Sequence, residues 1–206
     1  QSGIGFGLDE GKYKKWWPSD VHVIGKGILR FHAIYWPAFL LSAGLALPKS
    51  IFVHGYLTVN GQKMSKTLGN VIDPLSLIEK YGADALRFYL LRETPTTADG
   101  DFSEEKFREV YNSDLANGLG NLVSRVAKLC ETEGFSLKET GRQIIDTEKF
   151  DKAFYEFRLN DAVALVWEKV SQLDRYVEEE KPWDLIKKKD QRIKAVLEHL
   201  TDGLME

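Results

Sequence analysis

Residues 21–25 read Val-His-Val-Ile-Gly, and an amphipathic pattern follows them directly. The apolar side chains of this pattern recur every three or four residues, at Ile28, Phe31, Tyr35 and Phe39. A short apolar run that closes on a glycine is typical of a buried strand, and the spacing after it is typical of a helix. The stretch therefore predicts a strand, a glycine turn and a helix over residues 28–43, as in a doubly wound α/β sheet.

The chain around this unit divides into two halves. Residues 51–53 predict a second strand, and Asn60-Gly61 predicts a type I′ hairpin that joins residues 56–59 to residues 62–64. Asp73-Pro74 has the composition of a helix start. The composition changes near Thr94-Pro95, and from Ser103 onward almost everything follows helical spacing. We therefore expect an α/β half followed by an all-α half.

Composition and charge restrict the class of protein. The chain has 206 residues, of which 43% are hydrophobic, and a formal net charge of -3. Such a chain buries one sizeable core or two small ones, and its charge argues against a surface that grips nucleic acid throughout. Cys130 is the single cysteine. It excludes an intramolecular disulfide and a cysteine-cluster zinc site within these residues, so we expect no protein-bound metal within this fragment and a reducing, cytoplasmic location. The apolar run 34–47 is too short to cross a bilayer, so no membrane partner is expected.

The run Lys63-Met64-Ser65-Lys66-Thr67 follows the predicted turn and places two lysines on a loop. Transfer of an acyl group onto the α-phosphate of ATP collects negative charge on phosphorus and on the departing pyrophosphate. Two ammonium groups aimed there would stabilise this transition state. Two lysines in a polar loop are also commonly only solvated, so the spacing alone leaves both interpretations open.

The residues around this loop carry a family resemblance. Residues 54–70, from His-Gly-Tyr-Leu-Thr to Thr-Leu-Gly-Asn, closely resemble the KMSKS region of class I aminoacyl-tRNA synthetases, with threonine for the last serine of the pentapeptide. Residues 23–37 look specifically like the methionyl-tRNA synthetases. The resemblance implies the second half of a Rossmann-like nucleotide-binding fold over residues 1–95. It implies a connecting segment and an all-α helical bundle that binds the anticodon over residues 96–206.

The resemblance also implies roles for single residues. Lys63 and Lys66 are the implied catalytic residues, and Phe31 and His32 would line the pocket for the methionine side chain. An aromatic edge suits a polarizable thioether, although spacing alone would make Phe31 a core residue. ATP, as its Mg²⁺ complex, would contact Gly25, His54, Leu57, Lys63, Met64, Ser65 and Lys66.

Two departures from the family pattern bear on activity. Gly27 stands where the family usually has an acidic residue whose carboxylate accepts hydrogen bonds from the ATP ribose. The four histidines, moreover, nowhere form the HIGH motif of class I synthetases. Residues 1–7 resemble the middle of the family chain, so we expect a fragment that lacks the first half of its catalytic domain and is inactive alone.

The helical half has its own candidate site. Between residues 115 and 130, apolar residues fall on one side of a helix drawn at 100° per residue, whereas Asn117, Asn121 and Arg125 fall on the other. Amides and a guanidinium suit the edges of unstacked RNA bases. The resemblance implies that these three residues, together with Trp183, contact the CAU anticodon of tRNA(Met). Without the resemblance, the three polar residues are explained as the solvent-exposed face of an amphipathic helix, and Trp183 as an indole that packs at a helix start.

Two classes of function remain open from the sequence. The first is a methionine–tRNA ligase that activates L-methionine with ATP and transfers it to tRNA(Met). The second is a noncatalytic RNA-binding or interaction module with a vestigial nucleotide fold. A synthetase for another aliphatic amino acid is a further alternative within the enzyme class.

Overall fold

The computed structural model describes residues 2–65, 67–136 and 147–205. These residues form two small sheets packed beside a larger set of helices. The strands are β1 His22–Gly25, β2 Ile51–His54, β3 Leu57–Val59, β4 Gln62–Lys63 and β5 Gly100–Phe102.

Helices account for most of the remaining chain. The α-helices are α1 Glu10–Trp16, α2 Trp36–Ser42, α3 Pro74–Tyr81, α4 Ala83–Glu93, α5 Glu104–Val110, α6 Asn121–Glu133, α7 Thr147–Tyr155, α8 Leu159–Glu180, α9 Pro182–Lys188 and α10 Ile193–Met205. Two 3₁₀ turns, Ser2–Ile4 and Lys26–Ile28, and two π-helical segments, Phe31–Tyr35 and Tyr111–Gly120, complete the set.

The predicted strand, turn and helix are present, with a change of detail in the helix. β1 runs parallel to β2, and the register pairs Gly25 with His54. The predicted helix over residues 28–43 is instead a 3₁₀ turn, a π-helical segment and then α2. The confirmed parallel pair is the expected element of a Rossmann-like half.

The predicted hairpin is confirmed by its backbone angles. β3 pairs antiparallel with β4, and both turn residues have positive φ, 51° at Asn60 and 74° at Gly61. This is the type I′ geometry that the Asn-Gly pair predicts. Asp73 also caps α3 as predicted, because its side chain accepts the N–H of Leu75 at 3.0 Å.

The sequence did not indicate β5, which pairs parallel with β3. Gly100–Phe102 therefore brings part of the predicted connecting segment into the sheet that carries the lysine loop. An aromatic cluster supports this sheet from one side: Tyr89 packs edge-on against Phe102 and Phe107, with ring centroids 5.4 and 5.2 Å apart. All three side chains are almost fully buried.

The helical half has a continuous apolar core. We call this set the bundle core: Leu122, Val126, Cys130, Leu173, Val177, Leu185, Ile193, Val196, Leu197 and Leu200. It is built from α6, α8, α9 and α10, and it confirms the predicted all-α bundle.

Aromatic stacking joins the bundle to the sheet half. Phe88 of α4 stacks on Trp167 of α8 with ring centroids 4.2 Å apart, and the Arg92 guanidinium lies over both rings. Phe52 of β2 stacks on Phe157 at 4.3 Å. Large flat contacts of this kind hold the two halves in a defined relation.

Within the described ranges, no helix is long and apolar enough to span a bilayer.

Candidate functional site

The first group of predicted residues meets at the carboxyl ends of β1 and β2. Gly25 is paired with His54, and a Cβ at Gly25 would lie 3.5 Å from the His54 ring. His54 itself is exposed, and its Nδ1 lies 2.8 Å from the carbonyl oxygen of Gly55. A nucleotide at this edge would reach backbone at Gly25 and an imidazole beside it. Open parallel sheets bind ligands at such an edge.

Tyr56 is central to the site although no motif singled it out. The Lys26 Nζ lies 4.6 Å from the centroid of its ring, and the Lys63 Nζ lies 5.7 Å from the same centroid. A Cβ at Gly27 would come within 2.5 Å of the Tyr56 hydroxyl oxygen. The glycine that departs from the family pattern therefore leaves the space that the tyrosine hydroxyl occupies.

Asp99 ties the same residues together from the loop before β5. Its carboxylate accepts hydrogen bonds from Lys26 Nζ at 2.7 and 2.8 Å and from the backbone N–H of Tyr56 at 2.7 Å. The bond from Lys26, followed by the one from Tyr56, lowers the pKa of the Asp99 carboxyl below its ordinary value of 3.8. The group is thus a stable anion that holds one cation of the site.

Asn70 braces the lysine loop across its base. Its side chain accepts the N–H of Ser65 at 2.8 Å and donates to the carbonyl of Lys63 at 3.1 Å. The hydroxyl of Ser65 also accepts the N–H of Thr67 at 3.2 Å. Lys63 is exposed on β4, whereas Lys66 lies outside the described residues. The loop is therefore held at both sides of position 66 by side-chain bonds to its own backbone.

A cleft of about 280 Å³ opens behind this edge. Val23, Phe52, His54, Leu57 and Leu90 are among the residues that line it. Two predicted ATP contacts, His54 and Leu57, thus line one cleft, whose mainly apolar lining suits an aromatic ring.

Phe31 and His32 lie together in the π-helical segment Phe31–Tyr35. Their rings pack edge to face at 5.4 Å, and Phe31 is 48% exposed, which contradicts a role as ordinary core. His32 Nδ1 donates to the carbonyl of Ile28 at 3.0 Å, which leaves Nε2 available to a ligand. The ring of His22 lies edge-on at 6.2 Å, and burial, followed by His32, lowers the pKa of His22. A π-helical turn widens the backbone, and such turns are frequent at functional sites.

The four residues predicted for RNA are brought together only in part. The Arg125 guanidinium lies over the Trp183 ring at 5.8 Å and pairs with Asp174 at 3.2 Å and with Glu178. Asn121 is exposed one turn before Arg125 on α6.

Asn117 does not continue this row. It lies in the π-helical segment Tyr111–Gly120, so the α-helical spacing of 100° per residue that predicted one common face for Asn117, Asn121 and Arg125 does not apply at Asn117. Asn117 is nevertheless exposed. The arrangement is an Arg125 guanidinium over the Trp183 ring that is paired with two acids, with the Asn121 amide one turn earlier on α6.

Sequence reasoning missed Tyr56, Asp99 and Asn70, although two of them fall inside the stretch that carries the resemblance. The hydrophilic run Asp99-Gly100-Asp101 ahead of Phe102 was the available signal for the third. Among the residues that the structure describes, no group of three or more His, Cys, Asp or Glu side chains is placed to hold a metal.

Comparison with known proteins places the chain in a family. The family profile described as tRNA synthetases class I (M) matches residues 5–127. The methionine–tRNA ligase of Thermotoga maritima is 43% identical over 196 residues, which is 89% of this chain and 31% of that protein. The methionine–tRNA ligase of a Synechocystis species is 44% identical over 193 residues, 86% of this chain and 36% of that protein. The chain thus spans about a third of the length of these relatives.

A solved structure gives the same result. Mycobacterium tuberculosis methionyl-tRNA synthetase in complex with methionyl-adenylate superposes with a TM-score of 0.85 at 36% identity, over 98% of this chain and 43% of that one. The chain therefore belongs to the class I tRNA synthetases, in the methionyl family.

Proposed function

We propose that the chain contributes half of the ATP site and an RNA-binding bundle to a methionine–tRNA ligase. The observation that carries this proposal is the position of the lysine loop. Its base is braced by Asn70, and Lys63 lies over Tyr56, near the edge where Gly25 meets His54. A positively charged loop beside a nucleotide-sized edge suits the departure of pyrophosphate.

In the proposed first step, the methionine carboxylate attacks the α-phosphate of ATP and pyrophosphate leaves. Lys63 and Lys66 stabilise the charge that develops on the leaving group. Mg²⁺ accompanies ATP as part of the substrate and has no assigned protein ligand here. Met64 and Ser65 are proposed to contact the nucleotide through the same loop.

The other predicted residues take separate parts of the substrate. Gly25, His54 and Leu57 are proposed to receive the nucleoside, supported by their shared edge and cleft. Phe31 and His32 are proposed to contact the thioether, supported by the exposure of Phe31 and the available His32 Nε2.

In the proposed second step, the methionyl group passes to tRNA(Met), whose anticodon binds the bundle. Trp183 stacks on a base, and Asn117, Asn121 and Arg125 read base edges. The support is the Arg125–Trp183 contact, which presents a cation and an indole on one surface. Because the reaction needs ATP and tRNA, we place the protein in the cytoplasm.

The test is methionine-dependent ATP–pyrophosphate exchange by the full-length polypeptide that carries this chain. Replacing Lys63 by alanine removes one positioned cation, so the exchange rate should fall by about 10²–10³. Lys49→Ala is the control, because Lys49 is an exposed lysine like Lys63 but pairs with Asp20 outside the loop. Leucine, isoleucine and valine should not replace methionine.

Two results would overturn the proposal. Full exchange activity in the Lys63→Ala, Lys66→Ala double variant would remove the loop from the chemistry. A full-length protein that activates no amino acid yet binds tRNA would favour the noncatalytic RNA-binding module.

A further inference from the structure

Three charged groups converge on one residue, Tyr56, at the candidate ATP edge: two ammonium groups at its ring and one carboxylate at its backbone N–H. The Tyr56 ring has Lys26 Nζ at 4.6 Å and Lys63 Nζ at 5.7 Å from its centroid, and the Tyr56 N–H is bound by Asp99. A ring within about 6 Å of an ammonium group attracts it through the negative face of the π-system. One tyrosine therefore positions two cations from different parts of the chain.

Lys26 occupies the same sheet edge as the predicted nucleotide contacts. It follows Gly25, the last residue of β1, and begins the 3₁₀ turn Lys26–Ile28. Its side chain is 46% exposed, and that of its partner Asp99 is 45% exposed. An incoming polyphosphate can therefore reach the ammonium group without any movement of buried structure.

The contacts of Lys26 give it two kinds of restraint. Asp99 binds the ammonium as a charged partner, whereas Tyr56 supports it as a neutral surface. A polyphosphate carries more negative charge than one carboxylate and offers several oxygens, so it competes for the ammonium when it is close. The Tyr56 ring contacts the ammonium group separately from the Asp99 carboxylate, so Lys26 keeps one restraint at the edge when a phosphate replaces the carboxylate as its ionic partner.

We infer that Lys26 is a further polyphosphate-binding residue of this site, paired with Asp99 in the free protein and positioned beside Lys63 by the ring of Tyr56. The inference rests on the proposed function, because it names an additional contact for the same substrate. It assigns Asp99 the role of a positioning residue that competes with phosphate.

Gly27 leaves room for this arrangement. A Cβ at position 27 would lie 2.5 Å from the Tyr56 hydroxyl oxygen, so the ring would have to shift from its place beside the two ammonium groups. Gly27→Ala should therefore weaken the same binding as loss of Lys26, although it removes no charge.

The experiment compares binding of ATP, inorganic tripolyphosphate and AMP to the full-length polypeptide by calorimetry. Lys26→Met should lower the affinity for ATP and for tripolyphosphate by about tenfold or more, which is the loss expected for one charge-assisted hydrogen-bonding group. The affinity for AMP should not change. Lys26→Arg should restore most of the ATP affinity. Lys49→Met is the matched control, since it breaks the Lys49–Asp20 pair, and should alter none of the three.

Asp99→Asn separates binding from a merely structural ion pair. Asparagine still accepts the Tyr56 N–H but no longer holds the cation, so ATP affinity should stay equal or rise. If Lys26 acted only by pairing with Asp99, both variants would weaken ATP and AMP alike, and the inference would be wrong. Equal losses for AMP and tripolyphosphate in Lys26→Met would also overturn it.

The Lys63→Ala exchange assay tests the proposed function separately. Full exchange activity in the Lys63→Ala, Lys66→Ala double variant would overturn the proposed role of the loop, whereas normal tripolyphosphate binding in Lys26→Met would overturn only this inference.

Discussion

The two halves of the molecule treat the same kind of apolar pattern in opposite ways. In the bundle, Leu173 and Val177 repeat at helical spacing and are 1% and 0% exposed. In the first half, Phe31 and Phe39 repeat at the same spacing but are 48% and 58% exposed. Helical periodicity therefore identifies an apolar face, while only the surrounding structure decides whether that face is covered.

This contrast has an energetic meaning. A buried leucine loses contacts with water on folding and gains close packing, whereas an exposed phenylalanine gains little of either. The bundle should therefore depend strongly on the apolar residues of its core, whereas the exposed face that carries Phe31 and Phe39 should contribute little to stability.

The largest expected effect is a substitution in the bundle core. Leu197→Ala removes a side chain with no exposed surface and should lower the free energy of unfolding by about 2–5 kcal/mol. Phe39→Ala on the exposed face should change it by less than about 0.5 kcal/mol. Urea unfolding followed by circular dichroism measures both. Equal losses would break the comparison, because they would mean that the Phe39 face is covered in solution.

A smaller loss of stability is expected from a substitution at Gly55, where two backbone segments of the sheet half lie in close contact. A Cβ at Gly55 would overlap the carbonyl oxygen of Ala98, a backbone atom that cannot rotate away. Gly55→Ala should therefore cost about 1–3 kcal/mol of stability as the loop before β5 is forced to move.

Gly3→Ala is the matched control, because nothing lies within 4 Å of its position. If thermal unfolding showed the two variants to be equally stable, the backbones at Gly55 and Ala98 could not be as close as described.

In the bundle, the charges around Trp183 should affect RNA more than stability. Arg125 is half-buried and paired with Asp174 and Glu178, and pairs of this exposure contribute about 0–1 kcal/mol. Arg125→Gln should therefore leave the free energy of unfolding nearly unchanged and lower the affinity for an RNA stem-loop with a CAU anticodon by roughly tenfold.

Glu178→Gln provides the opposite change, because it removes one of the two carboxylates that pair with the Arg125 guanidinium and so removes a negative charge near the RNA. This variant should bind the same RNA more tightly, as measured by fluorescence anisotropy at a fixed salt concentration. Weaker binding in Glu178→Gln would show that the acid positions Arg125 instead of competing for it.

The smallest effect is the acid response of the hairpin. Asp101 accepts hydrogen bonds from Thr58 Oγ1 and from the N–H of Gly61, and these bonds, in that order of importance, lower its pKa below 3.8. A carboxyl whose folded pKa is lowered stabilises the fold above its unfolded pKa, and that contribution is lost as the pH falls through the folded value.

We therefore expect the amide resonance of Gly61 to change only below about pH 3.8, with faster hydrogen exchange in the turn. Asp101→Asn keeps an acceptor without a titrating group and should abolish the change. A transition that persists in Asp101→Asn would assign it to another carboxyl.

Local sequence rules predicted those elements whose cause is local. Asn60-Gly61 fixes a type I′ turn because both residues tolerate positive φ, and Asp73-Pro74 starts a helix through one side-chain bond and a preset φ. The bundle helices follow from spacing alone, since each buries one face. These features require no knowledge of distant residues.

The parts that escaped prediction depend on distant contacts. β5 is three residues long and exists because β3 offers it a parallel partner about forty residues earlier. The π-helical segment Tyr111–Gly120 displaced Asn117 from the predicted row, and no spacing rule at 100° per residue anticipates that change.

The sequence by itself determined the lysine loop, the hairpin beneath it and the helical character of the second half, because turn chemistry and side-chain spacing act over a few residues. Only the tertiary structure decided that Lys26, Lys63 and Asp99 meet at Tyr56, since their convergence needs the end of β1, the hairpin and the loop before β5 to pack against one another. Charges separated by tens of residues become one site through the fold, where their interaction depends on distance and not on sequence order.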